Sequence, residues 1–242
     1  LFCILITRVF ILQIVQGQSH QEDFTYKVQR VVKTSGTRGN IYDCNGKLLA
    51  YNKLVYAATF QDDGEFESLA NKNKTSENYE KNKAIHEVIK ILEKNGDEIA
   101  SDLPIEITGS GKFRFTESGS RLTKFKRDVF GIGTDTSGLS SDEKELRDRQ
   151  LNATAEEVFE YLRNGTMGSA GVGKMFNIDK KYSDEDALKI MAVRYSAYQS
   201  RYSQYLKVTI ASEISNESIA EIEERNSELP GIDISTKSIR VY

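Results

Sequence analysis

Apolar positions divide the chain into segments of different period. Residues 1–15 are apolar on nearly every face, broken only by Thr7, Arg8 and Gln13. Over 24–34, Tyr26, Val28, Val31 and Val32 stand among polar neighbours, which predicts a strand of irregular alternation. Asn45-Gly46 predicts a hairpin, because a type I′ turn asks for positive φ at both central residues. The apolar run over 48–60 is its return strand. Residues 62–80 are polar, and Asn71-Lys72-Asn73-Lys74 predicts a loop. Ile85, Val88, Ile89 and Leu92 recur at helical spacing, predicting a helix over 79–95 with Gly96 as its stop. Two short strands are expected over 105–115, broken by Gly109-Ser110-Gly111. Residues 131–141 predict a Gly/Ser/Thr-rich loop. Thr154 with Glu157 forms a capping box before a helix carrying Val158, Phe159 and Leu162. Ser183 and Ser215 open two further helices, the second ending near Leu229-Pro230-Gly231. Strands are predicted over 206–210, 232–234 and 239–241.

The strand pairs near the two ends flank a long mixed middle, which is an α+β order. If both ends share one sheet, residues ~63–203 form an insertion, and chain entropy tolerates long insertions.

The opening run is too short to span a bilayer alone, since a span takes ~20 apolar residues. Three readings stand: the outer half of a transmembrane helix whose start is missing, the core of a signal peptide, or a buried helix. No small-x-small cleavage pattern follows at Gln16-Gly17-Gln18. The membrane reading is favoured. The chain begins with Leu1 and ends on a strand pattern at Tyr242, so it is expected to be a fragment of a longer protein.

Composition narrows the function classes. The 242 residues carry 33 Lys+Arg against 36 Asp+Glu, a net charge of -3, which argues against a nucleic-acid partner. Two histidines and two scattered cysteines, His20, His86, Cys3 and Cys44, supply neither a zinc set nor a disulfide framework. No cofactor or metal is expected.

Three motifs invite chemistry. Gly168-Ser169-Ala170-Gly171-Val172-Gly173-Lys174 has P-loop spacing, but Met175 stands where a magnesium-binding hydroxyl belongs, and a helix rather than a strand leads in. A solvent loop is the better reading. Ser141-Asp142-Glu143-Lys144 has the letters of a serine acyl-enzyme. Its companion motifs are missing or out of order, and Ser141 reads as a helix cap. Tyr195, Tyr198, Tyr202 and Tyr205 form a helical stripe with no basic cluster beside it, so a core or partner-facing stripe is expected rather than base stacking.

The run Arg38-Gly39-x-Ile41-Tyr42-Asp43-x-Asn45-Gly46-x-x-Leu49-Ala50 resembles the first signature of class B penicillin-binding proteins, in their non-catalytic N-terminal pedestal or dimerisation domain. Val208-x-Ile210-Ala211, Ile214-Ser215-x-Glu217-x-Ile219-Ala220, Leu229-Pro230-Gly231-Ile232 and Arg240-x-Tyr242 resemble the approach to that family's second signature. The apolar opening before Gly17 is similar as well. Cys44 stands where the family usually has Arg.

The resemblance implies an α+β fold: a pedestal of antiparallel strands and helices with a mixed α/β head insertion, preceded by the end of a transmembrane helix. It implies residues 1–17 as the end of that helix, 18–62 and 204–242 as the pedestal base, and 63–203 as the inserted head. Arg38, Gly39, Asp43, Asn45, Gly46, Leu49, Ala50 and Arg240 are the implied structural motif residues. The family's serine D,D-transpeptidase domain follows the pedestal, cross-links peptidoglycan and is acylated by β-lactams; no catalytic residue is assigned in this chain. Implied partners are the membrane, a SEDS-type peptidoglycan glycosyltransferase, other cell-wall synthesis proteins and a second copy. The implied location is the bacterial cell membrane, single-pass, with the bulk extracytoplasmic. The rival reading is a stand-alone, membrane-anchored extracytoplasmic binding or sensor domain. From the residues themselves, Arg38 is expected to be partly buried and bonded across the junction of the two ends, and Gly39 and Gly46 to occupy tight backbone positions.

Overall fold

Strand β2, Leu48–Phe60, is the longest strand and organises the rest. The computed structural model describes residues 38–62, 64–165, 176–200 and 207–242. The apolar opening, the strand expected over 24–34, the loop at Gly168–Lys174, and Tyr202 and Tyr205 lie outside the described residues. Among the described residues no helix is long and apolar enough to cross a membrane.

β2 pairs antiparallel with β1, Ile41–Tyr42, at its beginning and with β5, Val208–Ser212, at its end. Along ten residues it pairs with β6, Ile232–Val241, from Tyr51↔Val241 to Phe60↔Ile232 without a register break. The two ends of the chain therefore do share one sheet. The strand segments expected separately over 232–234 and 239–241 are one strand, because β2 is long enough to pair both.

Among the described residues, the region between, together with the helix beside β6, carries seven α-helices: α1 Glu65–Asn73, α2 Glu77–Lys94, α3 Gly119–Phe130, α4 Ser141–Leu151, α5 Ala155–Asn164, α6 Asp184–Gln199 and α7 Asn216–Glu224. A small hairpin, β3 Ile105–Ile107 and β4 Phe113–Phe115, forms a second antiparallel sheet. The mixed, antiparallel α+β character predicted from the pattern is the architecture found.

Each helix has a local cause. Ser76 accepts from Tyr79 N–H and opens α2, while Gly96 at φ 81° closes it. Thr154 and Ser183 cap α5 and α6 as expected. Ser140, not Ser141, caps α4, since Ser140 and Glu143 make the reciprocal capping box. The polar stretch expected as a loop contains α1. Phe66 and Ala70, four apart and both buried, are enough to anchor one face, and the helix ends at Lys74 with φ 57°. α3, for which the sequence predicts no element, is held by Phe125, Val129 and Phe130.

One core runs from the sheet into the helices. Phe60, Ile210 and Ile232 belong to the same buried cluster as Ile85, Ile89, Phe159 and Ile190. Tyr195 is part of it, edge-on to Phe125 at 5.5 Å, so that end of the tyrosine stripe is core. Arg194 is buried within the helices, donating to Asn82 Oδ1 at 2.7 Å and Asn78 Oδ1 at 2.8 Å and lying over Phe176. Burial lowers its pKa to about 10, so it remains charged at neutral pH.

Gly231, at the entry to β6, sits close against Gln61 and against Phe66 of α1. It has φ 69°, and a Cβ there would lie 2.6 Å from Gln61 O and 2.7 Å from Phe66 Cε2. Its carbonyl accepts from Gln61 N–H at 2.8 Å. Gly231→Ala should therefore cost ~1–3 kcal/mol of backbone strain, with the clash added. Gly96→Ala, with a similar φ and open space, should cost the strain alone. Equal melting temperatures for the two variants would refute the close packing at Gly231.

Candidate functional site

β2 has two different halves. Ala57, Ala58, Thr59 and Phe60 are buried on both faces of the strand. From Leu48 to Tyr56 only Ala50 and Val55 are buried, so this half projects, with β1 and the end of β6, as an arm. Among the described residues there are nine exposed large apolar side chains, and all but Leu146 lie on this arm, led by Leu54 at 69% exposed and Tyr242 at 89%. Solvent-exposed apolar groups concentrated in one place mark an interaction surface.

The turn joining β1 to β2 is built by Asp43. Its Oδ1 accepts from Asn45 N–H at 2.8 Å and Lys47 N–H at 2.7 Å, and its carbonyl accepts from Gly46 N–H. Gly46 alone takes positive φ, 81°, with Cys44 and Asn45 at the corners. This corrects the type I′ turn expected at Asn45-Gly46, which would need positive φ at both. The Asp43 side-chain oxygen, accepting from the backbone two and four residues on, supplies an alternative closure. Leu49 is exposed at 49% and Ala50 is buried at 2%, as alternation along the strand dictates.

The junction between the two ends of the chain is a polar node, and its arginine is Arg240. One Arg240 Nη donates to Gly39 O at 2.7 Å and to Asn52 Oδ1 at 3.2 Å. Asn52, which faces Arg240 in register, donates through Nδ2 to the Arg38 carbonyl. Arg38 contributes that carbonyl; its side chain is exposed and makes no bond to any described residue. The expectation of a buried, bonded Arg38 side chain is thus corrected. An arginine ahead of the strand pairing has solvent on offer, whereas Arg240 is held in the ladder. Gly39 is corrected too: a Cβ there meets nothing within 4 Å, and its φ is not positive. What matters at Gly39 is the carbonyl.

Asn52 was not singled out by motif. Its signal is a polar side chain within the apolar run over 48–60, opposite a cation once the register is known.

The remaining chemistry-bearing residues do not converge. Ser141 lies in the exposed first turn of α4, Cys44 is exposed at the turn, and His86 is buried between α2 and α6. Among the described residues no three His, Cys, Asp or Glu side chains meet as metal ligands do.

With this geometry in view, comparison with known proteins identifies the family. The family model for the penicillin-binding protein dimerisation domain matches residues 33–242, and the chain belongs to that family. Two solved structures of penicillin-binding protein 2B from Streptococcus pneumoniae are similar. For strain 5204 the identity is 18% and the TM-score 0.38, and for strain R6 they are 16% and 0.33. Each match covers 87% of this chain and 26% of the other, so the chain spans about a quarter of the length of those proteins. No curated protein sequence matches the chain.

The node predicts unequal arginines. Arg240→Ala should destabilise the protein by ~1 kcal/mol, the net worth of hydrogen bonds whose partners water can reach. Arg38→Ala should stay within ~0.5 kcal/mol of the parent. Denaturant midpoints measured side by side decide it; an Arg38 effect as large as the Arg240 effect would overturn the assignment.

Proposed function

We propose that this chain is the non-catalytic pedestal of a class B penicillin-binding protein, positioning a D,D-transpeptidase domain for peptidoglycan cross-linking. The observation that carries the reading is the arm. Its exposed apolar side chains belong to the same strands as the two family signatures, and β6 delivers Tyr242 to that end of the molecule. A surface of this kind suits a covering domain, and the transpeptidase is the occupant we assign to it. Penicillin binding then belongs to the full-length parent.

The same reading divides the chain as follows. Residues 1–17 end a transmembrane helix, 18–62 and 204–242 form the pedestal base, and 63–203 are an inserted head. The eight motif residues, Arg38, Gly39, Asp43, Asn45, Gly46, Leu49, Ala50 and Arg240, have a structural role in the arm and its node. The parent is placed in the bacterial cell membrane with the pedestal outside it. A SEDS-type glycosyltransferase, other cell-wall synthesis proteins and a second copy of the chain are the partners proposed.

Leu54→Asp combined with Tyr56→Asp tests the arm. Both side chains are exposed in this chain, so the isolated pedestal should melt within ~0.5 kcal/mol of the parent. In the full-length parent the pair should slow acylation by a fluorescent penicillin and expose the junction to protease. Full-length protein indifferent to both substitutions would sink the reading. Residues 1–242 alone should take no fluorescent penicillin, because the sequence has no ordered Ser-x-x-Lys, Ser-x-Asn and Lys-Thr-Gly set; an adduct at Ser141 would contradict this.

A further inference from the structure

The seam between α2 and α6 contains a histidine with an unsatisfied ring nitrogen. His86, on α2, is 8% exposed. Its Nε2 is buried and makes no hydrogen bond to a described residue. The nearest candidate, Asp186 Oδ2 on α6, is 3.5 Å away, at the outer limit of hydrogen-bond length. The ring stands edge-on to Tyr182 in the segment leading into α6, with centroids 4.6 Å apart.

Charged groups surround the ring from each packed element. Lys90 and Glu87 act on it from α2, and Asp186 acts from α6. Lys181 lies over the Tyr182 ring at 5.0 Å. Glu87 is itself engaged by Arg225, 3.2 Å away, which weakens its pull on an imidazolium. The backbone N–H of Asp186 donates to Ser183 Oγ at 3.1 Å in the cap of α6, which leaves the carboxylate to face the ring.

We propose that His86 makes the α2–α6 seam an acid-responsive latch. Above neutrality the uncharged ring fills the seam against Tyr182. When Nε2 takes a proton from solvent, an imidazolium appears in a buried site with one facing carboxylate, Asp186, at the outer limit of hydrogen-bond reach. A single carboxylate at 3.5 Å does not repay the burial of that charge, so the ring swings out to water, and that movement loosens α6 from α2. The pairing of β2 with β6 contains no group in this equilibrium, so the sheet stays closed while the helices open.

The sign follows from which state binds the proton more readily. Burial first, then Lys90, lowers the folded pKa of His86 below the ordinary histidine value, against the opposing pull of Asp186. The open state therefore binds more protons in the window below ~6.5. The latch holds above that window and weakens as pH falls through it toward the folded pKa. Within the window each pH unit raises the opening constant by up to ~tenfold.

The test uses the whole chain. It has only two histidines, so the His86 ring proton can be followed in an NMR titration after assignment through His20→Ala. Amide exchange, corrected for intrinsic rates, is compared at pH 7.5 and 5.5. The expected result is a His86 midpoint below ~6.5 and a several-fold loss of protection in α2 and α6 at the lower pH. His86→Gln should flatten that response, and Asp186→Asn should steepen it by removing the one favourable carboxylate of α6. Unchanged protection between the two pH values, or the parent's response retained in His86→Gln, would overturn the latch. If His86→Gln does not fold, the titration of the unaltered chain still decides: a midpoint at or above the ordinary value overturns it.

Discussion

The unbroken pairing of β2 with β6 is the constraint from which the rest follows. It joins segments at opposite ends of the described sequence in one register, from Tyr51↔Val241 to Phe60↔Ile232. A one-residue slip would exchange the faces of both strands and take Ile232 and Ile234 away from the helices. Closing so long an intervening segment is affordable because loop entropy grows only logarithmically, by ~0.6 kcal/mol for each doubling. The intervening residues also return much of that cost, since α1, α2, α3, α5 and α6 pack into the same core as Phe60 and Ile232. The segment between β2 and β6 is thus long in sequence but continuous with the sheet in packing.

The pairing also explains why the points of tight tolerance lie where they do. At one end of the ladder Gly231 turns the chain into β6 against Gln61 and Phe66, tying the strand to α1. Beyond β5, Asp97 accepts from the Ser215 N–H and hydroxyl, which joins the exit of α2 to the cap of α7. At the other end, Asn52 and Arg240 face each other across the ladder and hold the carbonyls of Arg38 and Gly39. The buried half is fixed by close packing and the projecting half by polar ties. That division leaves the apolar side chains of the arm free for another surface.

Much of this was legible in the chain, and the failures have physical reasons. Helices α5, α6 and α7 were readable because a cap residue precedes an apolar segment in each, and α2 because Ile85, Val88, Ile89 and Leu92 recur at helical spacing before Gly96. α1 was missed because Phe66 and Ala70 are only two apolar positions in a polar stretch, and tertiary burial rather than propensity decides such a helix. α3 opens at Gly119 with no side-chain cap bond, so no start signal was available. The motif residues were visible in sequence, but their division of labour was not. Arg38 and Arg240 are both arginines flanking apolar strand residues, and only the strand register tells which one faces Asn52.

That register also bears on Cys44, at the tip of the hairpin. The hairpin does not depend on the side chain there. Asp43 closes the turn through its carboxylate, Gly46 supplies the one positive φ, and position 44 is an exposed corner. The second contact between the ends of the chain is made by Arg240 and Asn52, both away from the turn. An arginine at position 44 would project from the tip of the arm, beyond the residues that hold the pedestal together. The fold therefore does not depend on which side chain stands there; the choice sets only the chemistry of the tip.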